Sequence, residues 1–220
     1  EVYFRAIDSD KIIPLAKGFD ADYEISVVNE KIIIKTDLDA SNGKVFITDI
    51  DKPERSNWRE LIPESKDNLY GVSAIAGNLY LEYLHKVHSK IKIYSLEGKY
   101  IKDVELPDIG SAEVYGYFSK ENVWVRFSSF LFPFTTYKYD FAKNELNLFF
   151  KPPINLKIED FNTGQVEYKS KDGTKVTMFI LSRKDIEKDG GNPVLLAGYG
   201  GFNISMTPYF SATYVTWLEA

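Results

Sequence analysis

Asn78-Leu79-Tyr80-Leu81-Glu82-Tyr83-Leu84 opens on a turn-forming asparagine and continues in aromatic and aliphatic residues, the composition of a β-strand. A second strand-like run, Ile91-Lys92-Ile93-Tyr94-Ser95-Leu96, follows after a polar turn. The same order recurs on either side. Asn29 leads into Lys31-Ile32-Ile33-Ile34-Lys35 and then Val45-Phe46-Ile47-Thr48-Asp49, while Asn122 leads into Val123-Trp124-Val125-Arg126-Phe127 and then Thr136-Tyr137-Lys138-Tyr139-Asp140. The three asparagines stand 49 and 44 residues apart, inside the period of about 40 to 50 residues expected of propeller blades.

Each unit also has a strand before its asparagine and another at its end. The leading runs are residues 23–28, 71–76 and 113–118; the closing runs are residues 58–62, 99–104 and 145–149. Four strands per unit is the pattern of a propeller blade. Residues 1–6 and 11–16 read as the outer half of a preceding blade, giving about three blades and part of another. Closed propellers carry about four to eight blades. A β-sandwich whose strands happen to be evenly spaced is the competing architecture.

The repeat ends at Lys151-Pro152-Pro153, where consecutive prolines stop the strand pattern. The expected division is therefore a partial propeller over 1–152 and a second domain over 153–220. In the second part, Asp172-Gly173 between Gln165-Val166-Glu167-Tyr168 and Val176-Thr177-Met178-Phe179-Ile180-Leu181 predicts a hairpin, because Asp-Gly suits a turn with positive φ. Residues 182–191 are a charged connection with room for one helical turn.

Pro193-Val194-Leu195-Leu196-Ala197 then runs into Gly198-Tyr199-Gly200-Gly201-Phe202-Asn203. The apolar run reads as a buried strand of a parallel sheet, and a tight turn at the carboxyl end of such a strand is where open α/β sheets place their chemistry. A dinucleotide fingerprint fits poorly, because Asn203 stands where the third glycine belongs, and there is no Gly-Lys-Ser/Thr of a Walker loop. Two readings remain: a bare glycine turn, or a loop whose backbone N–H groups and Tyr199 hydroxyl donate to a developing oxyanion. Thr207-Pro208 predicts a helix start, followed by an apolar face of Tyr214, Val215, Trp217 and Leu218. No stop signal precedes Ala220, which reads as a helix cut short.

The residues Gly198-Tyr199-Gly200-Gly201-Phe202-Asn203-Ile204-Ser205 with Thr207-Pro208 resemble the prolyl oligopeptidase family of serine peptidases. Ser170-Lys171-Asp172-Gly173-Thr174-Lys175-Val176 and Met178-Phe179-Ile180 resemble the start of that family's peptidase domain, and Ser128-Ser129-Phe130-Leu131 resembles its last propeller blade. The likeness runs from about Tyr23 to the end of the chain, and Gly201-Phe202 favours the prolyl-specific branch over the oligopeptidase B type.

The resemblance implies a mostly β fold, with a partial β-propeller followed by the first strands of an α/β-hydrolase domain. It implies a cytoplasmic endopeptidase that cleaves short proline-containing peptides after proline through an acyl-enzyme, with no cofactor. Tyr199 would help hold the oxyanion, and Phe202 would form the aromatic wall that receives the proline ring. The catalytic serine, aspartate and histidine would lie beyond residue 220, leaving this segment inactive alone. No Gly-x-Ser-x-Gly occurs in the sequence, and Gly71-Val72-Ser73-Ala74-Ile75 lacks the second glycine. Other cleavage specificity, or a propeller scaffold for a protein partner with a purely structural glycine loop, are the alternatives.

Composition narrows the field independently. A hydrophobic share of 44% with 15% aromatics supports a packed core. A net charge of −5 with interspersed signs gives no nucleic-acid footprint. The absence of cysteine removes disulfides, thiol nucleophiles and Cys-based metal sites. No apolar run is long enough to span a membrane. The opening Glu1-Val2-Tyr3-Phe4-Arg5 has no secretory signal, and its strand-like start suggests a missing amino terminus. His85 and His88 flank a predicted turn and read as an exposed pair, not a metal site. Asp49, Asp51 and Glu54 lack calcium-loop order and read as solvated loop charge, as do residues 184–189. Edge strands of an open propeller are association-prone, so self-association through them is expected.

Overall fold

A computed structural model describes residues 1–5, 7–154, 158–187 and 189–219. Ala6, Lys188 and Ala220, which fall in the expected strand, charged face and helix, lie outside the described residues.

The chain begins with β1 (Val2–Phe4) and β2 (Ile13–Ala16), which pair antiparallel as a two-stranded sheet. Three four-stranded sheets follow, each ordered as the chain runs. The first holds β3 (Tyr23–Val28), β4 (Lys31–Thr36), β5 (Lys44–Asp49) and β6 (Arg59–Ile62). The second holds β7 (Asn68–Ile75), β8 (Asn78–His85), β9 (His88–Tyr94) and β10 (Tyr100–Val104). The third holds β11 (Ser111–Gly116), β12 (Val123–Ser128), β13 (Thr135–Asp140) and β14 (Glu145–Phe150). These are the repeating four-stranded meanders expected of blades, and the asparagine that marks each repeat stands at or just before the second strand of its sheet. The fold is mostly β.

Sequence explains the second strands well. Ile32, Ile33 and Ile34 of β4 are all buried, as are Leu79, Tyr80 and Leu81 of β8, so these runs are apolar on both faces because both faces are covered. Fourth strands alternate less and carry more exposed side chains, as in β14. Residues 1–85, 90–104 and 114–123 form one compact unit, in which one core cluster joins Ile33, Val45 and Ile62 with Val72, Leu79 and Leu81. Residues 86–89, 105–113 and 124–220 form the other.

Beyond the third sheet, β15 (Phe161–Lys169) and β16 (Lys175–Arg183) make the predicted hairpin. Its turn has Gly173 at φ 86°, and the Ser170 N–H donates to the Thr174 carbonyl at 2.8 Å. One helix, α1 (Ala212–Glu219), ends the described chain.

Three expectations fail here. Residues 193–197 form no strand: Val194 is 83% and Leu196 82% exposed. A strand apolar on both faces requires a neighbour on each side, and among the described residues none pairs with this run. Strands of an α/β-hydrolase sheet are accordingly not seen among the described residues. The helix starts at Ala212 and not at Thr207-Pro208, because the backbone at Pro208 and Phe210 is bonded to serine hydroxyls of the third sheet. Residues 182–187 contain no helical turn, since β16 continues to Arg183.

Candidate functional site

Residues 198–204 fold locally. The Ile204 N–H donates to the Gly201 carbonyl at 3.0 Å, and Phe202 and Asn203 between them have φ 52° and 55°. Two consecutive positive φ values inside an i to i+3 bond make a type I′ turn, which asparagine tolerates and phenylalanine does not favour. Phe202 is thereby held 90% exposed. Such a conformation at a bulky residue costs about 1–2 kcal/mol, and strain of this kind clusters at functional positions. The Tyr199 ring lies against Gly201, with Cε1 3.5 Å from where a Cβ would stand, and Tyr199 is 56% exposed. Nothing lies within 4 Å of a Cβ built at Gly198 or Gly200. The two candidate residues are thus three positions apart on one solvent-facing turn.

Firm anchorage comes just downstream. The Ser111 hydroxyl donates to the Pro208 carbonyl at 2.7 Å. The Phe210 N–H donates to Ser128 Oγ at 3.0 Å, and that hydroxyl donates in turn to the Phe132 carbonyl at 3.1 Å. Ser128 is wholly buried. Phe130 and Leu131 pack with Phe161 of β15 and Val215 of α1, and the Phe130 ring meets Phe179 of β16 edge-on at 5.1 Å. Serine at 128 was singled out in the sequence only as part of a blade resemblance. Ser111 was missed altogether, and no local pattern marks a hydroxyl whose partner lies 97 positions away.

Elsewhere the chemistry is structural. His85 and His88 flank the turn of Lys86 and Val87, at φ 46° and 67°. They are half-buried and not exposed as expected, and His85 Nδ1 lies 2.7 Å from Asp67 Oδ1. No group of three metal-ligating side chains occurs among the described residues. Asp49 lies on β5, not in a loop, and pairs with Lys31. An open cleft bordered by Glu159, Asp160, Arg183 and Asp185 includes no residue of the turn. Arg183 neutralises Asp185 through two bonds of 2.9 and 2.7 Å. On α1, the hydrogen bond that the Tyr214 hydroxyl gives to Tyr209 raises its pKa, because the bond needs the phenol's proton. No described helix is long and apolar enough to cross a membrane.

Comparison with known proteins adds five likenesses. Residues 1–152 match the model of the prolyl oligopeptidase N-terminal beta-propeller domain. A prolyl endopeptidase of Elizabethkingia meningoseptica is 31% identical over 222 residues, covering 100% of this chain and 31% of its own length. One from Dictyostelium discoideum is 34% identical over 95% of this chain and 29% of its own. A structure from a study of two prolyl endopeptidases and their inter-domain dynamics superposes with TM-score 0.91 at 36% identity, covering 99% of this chain and 32% of that one. Prolyl oligopeptidase B of Galerina marginata, bound to a 35mer hydrolysis and macrocyclization substrate, superposes with TM-score 0.86 at 29% identity, over 95% of this chain and 30% of that one. The chain thus spans about a third of the length of the relatives it matches.

Proposed function

The chain belongs to the prolyl oligopeptidase family of serine peptidases, and from that premise we propose that it is the later propeller and the opening of the peptidase domain of an endopeptidase that cleaves short peptides after proline. The division falls at about residue 152, with the catalytic serine, aspartate and histidine outside residues 1–220. By itself the segment has no peptidase activity. In the complete enzyme the serine oxygen attacks proline's own carbonyl carbon, the C–N bond to the next residue breaks as the histidine passes the serine's proton to the leaving amine, and water then hydrolyses the acyl-enzyme. The negative charge gathered on the carbonyl oxygen is met by the Tyr199 hydroxyl and a backbone N–H. Phe202 offers a flat apolar face to the proline ring, which contributes no N–H in peptide linkage and needs none satisfied.

The observation that supports this reading is the turn itself. It spends conformational energy to hold Phe202 in a left-handed conformation, 90% exposed, three residues from Tyr199. A turn serving only to connect would not require a bulky aromatic there. The propeller's part is to restrict access, so that only short peptides reach the site.

The test is the full-length protein treated with a fluorophosphonate and analysed by intact mass, beside hydrolysis of paired peptides with proline or alanine before the scissile bond. The expected result is one adduct beyond residue 220 and cleavage of the proline peptide alone. A full-length protein that takes no adduct and leaves both peptides intact would remove the peptidase reading. The 220-residue segment should take no adduct.

A further inference from the structure

β8 and β9 are joined by two residues, Lys86 and Val87, at φ 46° and 67°. Positive φ at both centres is the type I′ geometry, which matches the strand twist of a hairpin but favours glycine, asparagine or aspartate. The two-residue turns of β3–β4 and β7–β8 comply, with Asn29 and Gly77. Lysine and a β-branched valine do not, and a backbone strained in this way persists only where its surroundings hold it.

β15 supplies the hold. Gln165 and Glu167 are alternate residues of that strand and therefore project from the same side of it. The Gln165 side-chain amide donates to the Lys86 carbonyl at 2.6 Å, and the Glu167 carboxylate meets the Lys86 ammonium at 3.1 Å. One prong takes the backbone of Lys86 and the other its side chain, so both the position and the orientation of the turn are set. Lys175, at the start of β16, stands 3.8 Å from the second carboxylate oxygen of Glu167. The bond from Lys86 holds the Glu167 carboxyl below the ordinary glutamate range. The turn and the β15–β16 hairpin belong to the same compact unit. Their link consists of charge and hydrogen bonds, with the Lys86 side chain 50% and the Glu167 side chain 37% exposed, and such a pair is weak and screened by salt. Strain in the turn and polar bonds across the contact suit a junction that is made and broken, because parting from β15 lets the turn relax.

We propose that Lys86, Gln165 and Glu167 form a reversible latch, which fastens β15 to the strained β8–β9 turn and whose release admits peptide to the site. The inference rests on the function proposed above and deepens it, giving substrate entry a dependence on ionic strength that resides in named residues.

The experiment uses the full-length protein and the variants Lys86→Met, Glu167→Gln, Val87→Asn and the double variant Lys86→Met/Glu167→Gln. It measures kcat/KM on a proline peptide at low and at about 1 M salt, where screening acts over about 3 Å, with amide hydrogen exchange at residues 85–89 and the fluorophosphonate adduct recorded beside it. Apparent affinity scales with the fraction of molecules able to admit substrate, so Lys86→Met and Glu167→Gln should each raise kcat/KM about 2- to 5-fold at low salt, the scale of one exposed ion pair. The double variant should go no further than either single one, since both break the same contact. Exchange at 85–89 should quicken in all three. High salt should bring the parent up to the variants and leave the variants unchanged. Val87→Asn, which removes the strain that favours release, should act in the opposite direction. Unchanged or lowered kcat/KM in both single variants beside an active parent, or an equal salt response in parent and variants, overturns the latch alone. A parent that cleaves no proline peptide and takes no adduct removes the peptidase reading and the latch with it.

Discussion

The carboxylate of Glu82, buried in the middle of β8, accepts the backbone N–H of Val114 in β11 at 2.8 Å. A polar group inside a core is costly unless hydrogen bonds satisfy it, and here it serves a strand that belongs to the next sheet along the chain. Glu82→Ala should leave the Val114 N–H without this acceptor and lower stability by about 1–3 kcal/mol. The urea midpoint measures it. An unchanged midpoint would mean that the bond contributes nothing to folding.

Gly110 sits where no side chain fits. A Cβ there would stand 2.4 Å from the Phe127 ring and 2.5 Å from the Ser128 carbonyl, and Phe127 is fully buried. Gly110→Ala should therefore cost about 1–3 kcal/mol through overpacking and should also disturb the hydroxyl of Ser128. Thermal unfolding of the variant should show a lower midpoint than Gly164→Ala, where the closest atom, the Ile180 carbonyl oxygen, is 3.9 Å from the added Cβ.

Val87 occupies the left-handed region at φ 67°, the least suitable place for a β-branched residue. Two contacts support the turn: the Gln165 side chain donates to the Lys86 carbonyl at 2.6 Å, and the Lys86 ammonium pairs with Glu167 at 3.1 Å. Val87→Asn keeps those contacts and removes the steric conflict, so stability should rise by about 1 kcal/mol. A lower denaturation midpoint would show that Val87 packing outweighs its strain.

The Asp20 carboxyl titrates below the usual aspartate range because Arg55 hydrogen-bonds to it, with a second bond from the Tyr23 hydroxyl. A depressed acid stabilises the folded state above the ordinary carboxylate range, and that contribution disappears as pH falls through its folded pKa. Arg55→Met should move the Asp20 titration upward, read by carboxyl NMR, and should make the protein less sensitive to acid in that window. An unmoved titration would assign the shift to another cause.

The blades were legible because their strands obey a period set by burial. A second strand covered on both faces, such as Lys31–Thr36 with its three consecutive isoleucines, announces itself in composition. The Asp172-Gly173 hairpin was legible because its turn chemistry is local. Residues 193–197 misled because their pattern describes a strand between neighbours, and a pattern cannot supply the neighbours. The helix start misled for a related reason: Pro208 suits a first helical turn, but the Ser111 and Ser128 hydroxyls hold the backbone at 208 and 210. The turn at 198–203 was readable as a glycine turn, and its candidate residues as chemistry only by resemblance. Their positive φ values and their exposure belong to three dimensions.

The most direct measurement is turnover of a proline peptide by full-length Tyr199→Phe protein, with its melting temperature recorded beside it. Loss of one oxyanion donor should cut kcat about 10²–10³-fold while KM and melting temperature stay near those of the parent. Turnover equal to the parent's would contradict the assignment of the Tyr199 turn to the reaction.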